Sequence, residues 1–144
     1  MIDLIAVVCG RLQDTDMATL LCRGPDDEVA VYSEDNVPAN FPYTTKPLII
    51  VEDPQHSGNE DTFDEAYRRE SVGLRFYHKP DGDYLPLTTA AEWARKLFEN
   101  WGPASIEGGE VVNTTVSGPA RGPTTDPTLA GRVLRINFLI KETT

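Results

Sequence analysis

The sequence has few of the residues that build disulfide frameworks and metal sites. Its 144 residues include two cysteines, Cys9 and Cys22, and two histidines, His56 and His78. A structural zinc site needs four such ligands at short, regular spacings, and these four residues do not have that spacing. We therefore expect two buried, reduced thiols, with no disulfide, no metal and no cofactor.

Long apolar runs are also missing. No run approaches the roughly 20 residues that are needed to span a bilayer. The first residues include Asp3 instead of the basic stretch that opens a signal peptide. Because 40% of the residues are apolar and 25% are charged, the composition is that of an ordinary globular protein. We expect one soluble, cytosolically made domain over residues 1–144.

Basic residues are scarce in the first half of the chain. The net charge is −10, and residues 1–72 hold 5 Lys and Arg against 15 Asp and Glu, while residues 73–144 hold 8 of each sign. Gripping a nucleic-acid backbone requires clustered Lys and Arg, so this balance argues against nucleic-acid binding. It is compatible with simple solubility, with repulsion of DNA, or with attraction of a basic partner.

Sequence motifs of catalysis are absent. The chain has no phosphate-binding glycine loop, nucleophile elbow or zinc-protease helix. Asp53, His56 and Ser57 are triad residue types, but a triad needs rigid supports and these residues are neighbours in one predicted loop. His78 is predicted to face solvent or to cap a strand end. The sequence 81–83 begins like a calcium loop without its closing glutamate, which favours a turn. We expect no catalytic residues and no enzyme.

The clearest structural pattern is a strand, a turn and a helix in residues 70–102. The strand is indicated by alternating apolar residues, namely Val72, Leu74 and Phe76. Thr89 and Glu92 have the spacing of a capping box, which predicts that the helix begins there. An apolar stripe continues to Trp101, and both tryptophans of the helix are expected in the core. Gly102-Pro103 is a typical helix end.

The remaining segments complete an α+β pattern. Helices are predicted at 2–12 and 17–22, and strands at 29–32, 48–51, 110–117 and 134–140. The fold class is a mostly antiparallel sheet with an N-terminal helix and one central amphipathic helix packed on a face. Two long loops are predicted, at 52–67 (a loop or a long hairpin tip) and at 118–131. Loops of this length are usually functional or disordered.

The order and spacing of these segments resemble the tail-completion, or tail-terminator, proteins of long-tailed phages and gene-transfer particles. The similarity covers nearly the whole chain, from the two N-terminal helices to the final strand at 132–140. It includes an extended segment at 32–38, Phe41-Pro42-Tyr43 before a buried strand, and a central helix with the start Ala-Ala-Glu-Trp-Ala. The proline-rich segment 118–131 departs from the family pattern.

The resemblance implies a structural virion protein. Members of the family form a ring, usually a hexamer, that ends the tail tube at its head-proximal end and joins it to the head-side connector or stopper. The implied partners are other copies of the chain, the tail tube protein and the connector, with DNA passing through the lumen without specific binding and no membrane involved. Candidate interface residues lie in or beside the long loops: Glu52, Asp53, Glu60, Asp61, Arg68, Arg69, Arg121 and Arg132.

Two other functions remain compatible with the sequence. A head-completion or neck protein would use a similar α+β module and similar loops. A monomeric acidic binding module, such as an immunity protein or an antitoxin, would mask a basic partner with the same excess of carboxylates.

Overall fold

The computed structural model describes residues 2–59 and 67–143, which form a sheet with helices packed on one face. The helices are α1 (Leu4–Arg11), α2 (Thr15–Leu20) and α3 (Leu85–Phe98), and a 3-10 turn covers Glu34–Asn36. The strands are β1 (Val31–Ser33), β2 (Leu48–Val51), β3 (Gln55–Asn59), β4 (Tyr67–His78), β5 (Ala104–Ile106), β6 (Gly109–Arg121) and β7 (Ala130–Glu142).

The described strands form one sheet in the order β1-β2-β4-β7-β6-β5. β3 lies beyond the end of β2 and pairs with the first residues of β4. β1 and β2 are parallel, and every other described pair is antiparallel. The predicted α+β class with a mostly antiparallel sheet is confirmed.

The core lies between the sheet and the helices. Alternate residues of β7 face this core, as the period of a strand requires: Leu134, Ile136, Phe138 and Ile140. The central helix α3 buries a stripe of mostly small residues against β4, β6 and β7: Leu87, Ala90, Ala91, Ala94 and Phe98. Helix α1 adds Leu4 and Val8, and Asp3 caps it by accepting a hydrogen bond from the Ala6 amide at 3.1 Å.

A second, smaller apolar cluster covers one part of the opposite sheet face. It packs the extended segment around Phe41 and Tyr43 onto the outward side chains of β1 and β2, Tyr32, Leu48 and Ile50. The rest of this outer face is left to polar and charged side chains of β4 and β7.

The predicted start of the central helix at Thr89 is wrong. Helix α3 begins one turn earlier, at Leu85, with Pro86 in its first turn. The N-cap residue is Tyr84, and the Asp83 carboxylate just before it accepts a hydrogen bond from the Leu85 amide at 2.9 Å, which satisfies one amide of the first turn. Because the early start brings Leu87 into the core with full burial, packing favours the longer helix.

The predicted end of that helix is also wrong. The helix stops at Phe98, and Asn100 takes a positive φ of 53°. Trp101 therefore lies beyond the helix, where its ring packs edge-on against Phe98 and Phe138. Both Trp93 and Trp101 are half-buried at the margin of the core.

The two regions predicted as long loops contain strand residues. In the first, residues 55–59 form β3 and pair with β4, which agrees with the hairpin form expected for 52–67, while residues 60–66 lie outside the described residues. In the second region β6 continues to Arg121 and β7 begins at Ala130, which leaves a loop of residues 122–129. The strand accommodates Gly118-Pro119 at a register shift between Ser117 and Ala120, since bulges on edge strands tolerate both residue types.

The α2 and β1 elements are shifted from their predicted positions. Helix α2 covers Thr15–Leu20, because Asp14 accepts bonds from the Asp16 and Met17 amides and starts it two residues early. β1 begins at Val31, whereas Val29 makes an isolated bridge to Arg23.

His78 does not face solvent, which was one of the two placements predicted for it. Its side chain is fully buried, and Nδ1 lies 2.8 Å from the Thr45 carbonyl oxygen. None of the described helices is long and apolar enough to cross a membrane.

Candidate interaction surfaces

Two arginines stand side by side where β6 ends and β7 begins. Arg121 and Arg132 are directly opposite each other in the antiparallel register. They line a cleft of about 600 Å³ together with Tyr84, Thr124 and Leu129. We call this the arginine cleft.

The arginine cleft carries uncompensated positive charge. The Arg132 guanidinium donates to the Gly131 carbonyl at 2.9 Å. Among residues 2–59 and 67–143, no carboxylate forms an ion pair with Arg121 or Arg132. Like charges directly opposite each other in a sheet are destabilising. In a chain with 23 acidic residues, an arginine pair without an acidic neighbour is an unusual arrangement.

Exposed apolar side chains border the arginine cleft. Tyr84 is 52% exposed and Leu85 is 67% exposed, and they are the large hydrophobic residues that stand out on the described surface. Tyr84 lines the cleft, and Leu85 follows it as the first residue of α3. Aromatic and arginine side chains together are the composition of a protein-binding surface.

Glu52 belongs to an ion cluster within the chain. Its carboxylate lies 3.6 Å from Nε of Arg75 and 3.8 Å from Nη2 of Arg135. The carboxylate rests on Gly73, where a Cβ atom would come within 1.7 Å of Oε1. Because Gly73 has no side chain, Glu52 can lie flat on the sheet between the two arginines. Glu52 is therefore engaged within the chain and is not a free interface carboxylate.

Arg68 is engaged in the same way. Its guanidinium lies 2.6 Å from the Glu142 carboxylate and 3.4 Å from that of Glu70. Glu70 also lies 3.6 Å from Nδ1 of His56, which extends from β3. These contacts join β3, β4 and β7 at the end of the sheet opposite the arginine cleft.

The other predicted interface residues fall into two groups. Arg69 and Asp53 are exposed, and the Asp53 amide donates to the Glu34 carboxylate at 2.9 Å. Glu60 and Asp61 lie outside the described residues. The structure thus brings Arg121 and Arg132 together and separates them from Glu52, Asp53, Arg68 and Arg69.

The first-half acidity is concentrated along the β1 edge of the sheet. Exposed carboxylates flank this strand on both sides; we call Asp26, Asp27, Glu34, Asp35 and Asp53 the acidic edge. Next to it, the Tyr32 hydroxyl donates to Glu28 at 2.6 Å, and this hydrogen bond lowers the pKa of the Glu28 carboxyl.

The groups that could carry chemistry are dispersed. Burial raises the pKa of the Cys22 thiol to about 11, and burial together with the nearby Asp3 charge raises that of Cys9. A thiol with a raised pKa is a poor nucleophile. Within the described residues, no group of three or more His, Cys, Asp or Glu side chains could hold a metal ion.

Sequence reasoning selected both arginines of the cleft but could not see that they form a pair. Pairing depends on the β6–β7 register, which a bulge between Ser117 and Ala120 shifts. Tyr84 and Leu85 were missed. Two large apolar residues beside a Gly-containing turn were the available signal, since such residues are rarely left exposed without a reason.

Comparison with known proteins finds a likeness in structure but not in sequence. No protein-family model and no curated protein matches the chain. Among solved structures, the fold is similar to that of a chain in "Virion of native gene transfer agent (GTA) particle", with a TM-score of 0.75. The similarity covers 96% of this chain and 94% of that chain, at 13% sequence identity. At this identity the two chains share a fold over almost their full lengths.

Proposed function

We propose that this chain is a non-enzymatic structural protein of a phage-like virion. The observation that carries the proposal is the shared fold with a chain from a gene transfer agent virion, which leaves almost no part of either chain unmatched. A structural match over the whole chain supports a similar role more strongly than a match over a common motif does. Fold alone does not determine function.

More specifically, we propose that copies of the chain form a ring, a hexamer by family resemblance, at the head-proximal end of a tail. The ring would end the tail tube and join it to the head-side connector or stopper. A ring needs two different surfaces on each subunit, because its contacts are heterologous. The arginine cleft lies at one end of the sheet, and the ion cluster of Arg68, Glu70 and Glu142 lies at the other, so one subunit offers chemically different surfaces for such a contact.

The acidic edge has a second use in the proposed ring. DNA must pass through the lumen without adhering, and fixed negative charge repels phosphates. The exposed carboxylates of Asp26, Asp35 and Asp53 offer such a surface, and basic residues are rare in the same half of the chain. We therefore place the acidic edge toward the lumen in this proposal.

Immunogold electron microscopy of particles tests the proposal directly. An antibody to this chain is applied to particles from an induced or infected lysate, and we expect label at the head-proximal end of tails. Particles from cells that lack the chain are the control, and they should carry no label. We also expect those cells to accumulate heads and tails that are not joined.

Other results would lead to other functions. Label on tail-less heads would favour a head-completion or neck protein. Absence of label from all particles, with the chain recovered as a soluble monomer on one basic protein, would overturn the virion proposal. An acidic binding module would then explain the charge.

A further inference from the structure

The arginine cleft lacks an acidic partner, and the chain contains a segment that would supply one. Residues 60–66, Glu-Asp-Thr-Phe-Asp-Glu-Ala, carry four carboxylates and one phenylalanine in seven positions. The cleft offers the guanidinium groups of Arg121 and Arg132 and the exposed ring of Tyr84, and the exposed Leu85 follows Tyr84 in the chain. Acidic and aromatic groups on one side therefore match basic and apolar groups on the other.

The segment cannot reach the cleft of its own chain. Residues 60–66 connect β3 to β4, and Asn59 pairs with Arg68 at the base of this connection. Arg132 pairs with Phe76, eight residues further along β4, which places the cleft roughly 27 Å away. A connection of seven residues anchored at both ends extends roughly 14 Å from its base at most. Its anchors, Asn59 and Arg68, lie at the end of the sheet opposite the cleft.

We propose that the arginine cleft of one copy of this chain binds residues 60–66 of a neighbouring copy. The contact is heterologous, because a cleft at one end of the sheet meets a segment at the other end, and each copy has one of each. This inference deepens the proposed function and rests on it, since it assumes that copies assemble. The arginines can each take a carboxylate through paired N–H donors, which gives the contact direction as well as affinity.

The unpaired state of the arginines in one copy supports this assignment. Arg75, Arg135 and Arg68 each have a carboxylate within 4 Å in the same chain, whereas Arg121 and Arg132 have none among the described residues. Arg121 and Arg132 occupy directly opposite positions of an antiparallel pair, where like charges are destabilising. A carboxylate from another copy would offset this repulsion between like charges, so association would also stabilise the arginine pair.

Charge exchange between the two surfaces tests the inference. The cleft variant is Arg121→Glu with Arg132→Glu, and the segment variant is Asp61→Lys with Asp64→Lys. The cleft variant replaces one like-charge pair by another, so we expect the subunit to fold as before. Each variant alone should weaken self-association at least roughly 100-fold, as measured by sedimentation equilibrium, because like charges then meet at every contact.

The combined variant, with all four substitutions, should restore association because opposite charges meet again. Arg23→Glu with Lys96→Glu is the matched control, since both residues are exposed and the change in net charge equals that of the cleft variant. The control should associate like the unmodified chain. Circular dichroism melting of each protein verifies that its fold is intact.

Three results would overturn the inference. One is an unmodified chain that remains monomeric at its highest soluble concentration. Another is a cleft variant that associates as well as the control. The third is loss of association in both single variants without rescue in the combined variant, which would exclude residues 60–66 as the occupant. None of these results concerns particle labelling, so the proposed function would stand or fall separately.

Discussion

At the scale of single residues, Thr114 joins the central helix to the edge of the sheet. Its side chain is buried on β6, and its hydroxyl donates to the Phe98 carbonyl at the end of α3. The same oxygen accepts a hydrogen bond from the Trp101 amide at 2.8 Å. The last carbonyls of a helix have no partner within the helix, so one hydroxyl satisfies two backbone groups at this end. Trp101 is thereby held where its ring can cover Phe98 and Phe138.

Replacing Thr114 by valine tests this role. The shape of the side chain is kept while the hydroxyl is lost, which leaves the Phe98 carbonyl and the Trp101 amide without their partner. We expect the free energy of unfolding to fall by roughly 1–3 kcal/mol. Urea denaturation followed by tryptophan fluorescence measures it.

Thr115→Val is the matched control for that measurement. Thr115 is the next residue of β6 and is exposed on the other face. Its replacement should change stability by less than about 0.5 kcal/mol. Equal effects at the two positions would show that the buried hydroxyl contributes nothing specific.

At the scale of elements, the start of α3 decides what borders the arginine cleft. The helix begins at Leu85, directly after Tyr84, and this early start places both exposed side chains at the end of the sheet. With a start at Thr89, the four preceding residues would have been loop. The hydrogen bond from the Leu85 amide to Asp83 therefore helps to fix the positions of Tyr84 and Leu85 on this surface.

Two alanine substitutions distinguish the observed helix start from the predicted one. Asp83→Ala removes the acceptor at the first turn, and we expect a loss of about 1 kcal/mol in the free energy of unfolding. Thr89→Ala should leave stability unchanged or raise it by up to roughly 0.5 kcal/mol, because alanine is the better helix former inside a helix. Urea denaturation of both variants measures these values. The reverse ranking would indicate a helix that begins at Thr89.

The extent to which sequence predicts this fold depends on the range of the interactions involved. The apolar alternation of the last strand is a local pattern, and the strand predicted at 134–140 is present within β7. The start of α3 was not, since a local capping box at Thr89 competes with burial of Leu87 in the core. Gly118 and Pro119 indicated a loop, but they lie at a register shift between β6 and β7. Such a bulge depends on strand pairing, so the sequence of one strand does not predict it.

The candidate site was harder to predict than the fold, because it depends on contacts between residues that are distant in the sequence. Arg121 and Arg132 were both expected at an interface, but their pairing depends on the β6–β7 register. Glu52 was expected there too, and the structure places it on Gly73 between Arg75 and Arg135. That contact joins β2, β4 and β7, so the sequence pattern of any single segment cannot predict it.

At the scale of the whole molecule, charge is divided between different places on the sheet. The acidic edge follows β1 at one side, and the arginine cleft lies where β6 ends and β7 begins. On the outer face, Arg75 and Arg135 both lie beside Glu52, and Arg75 also lies 3.8 Å from the carboxylate of Glu34. The net charge of −10 is thus the balance of surfaces with opposite signs, and not a uniform negative shell.

The proposed orientation of the acidic edge predicts how DNA leaves the particle. Asp35→Lys with Asp53→Lys puts positive charge on that edge, beside the bond from the Asp53 amide to Glu34. We expect particles carrying this variant to assemble normally and to eject DNA severalfold more slowly, because lysines facing the lumen attract phosphates. Added salt should reduce the delay, since it screens these charges.

Glu92→Lys with Glu107→Lys makes the same change in charge at exposed positions outside the edge, and its particles should eject DNA at the normal rate. Asp35→Asn with Asp53→Asn removes the repulsion without adding attraction, so its ejection rate should lie between the two. Fluorescence of a dye that binds released DNA measures all three rates. If the lysine variant ejects DNA like the control, the acidic edge faces away from the lumen, and the excess of carboxylates in the first half of the chain has another use.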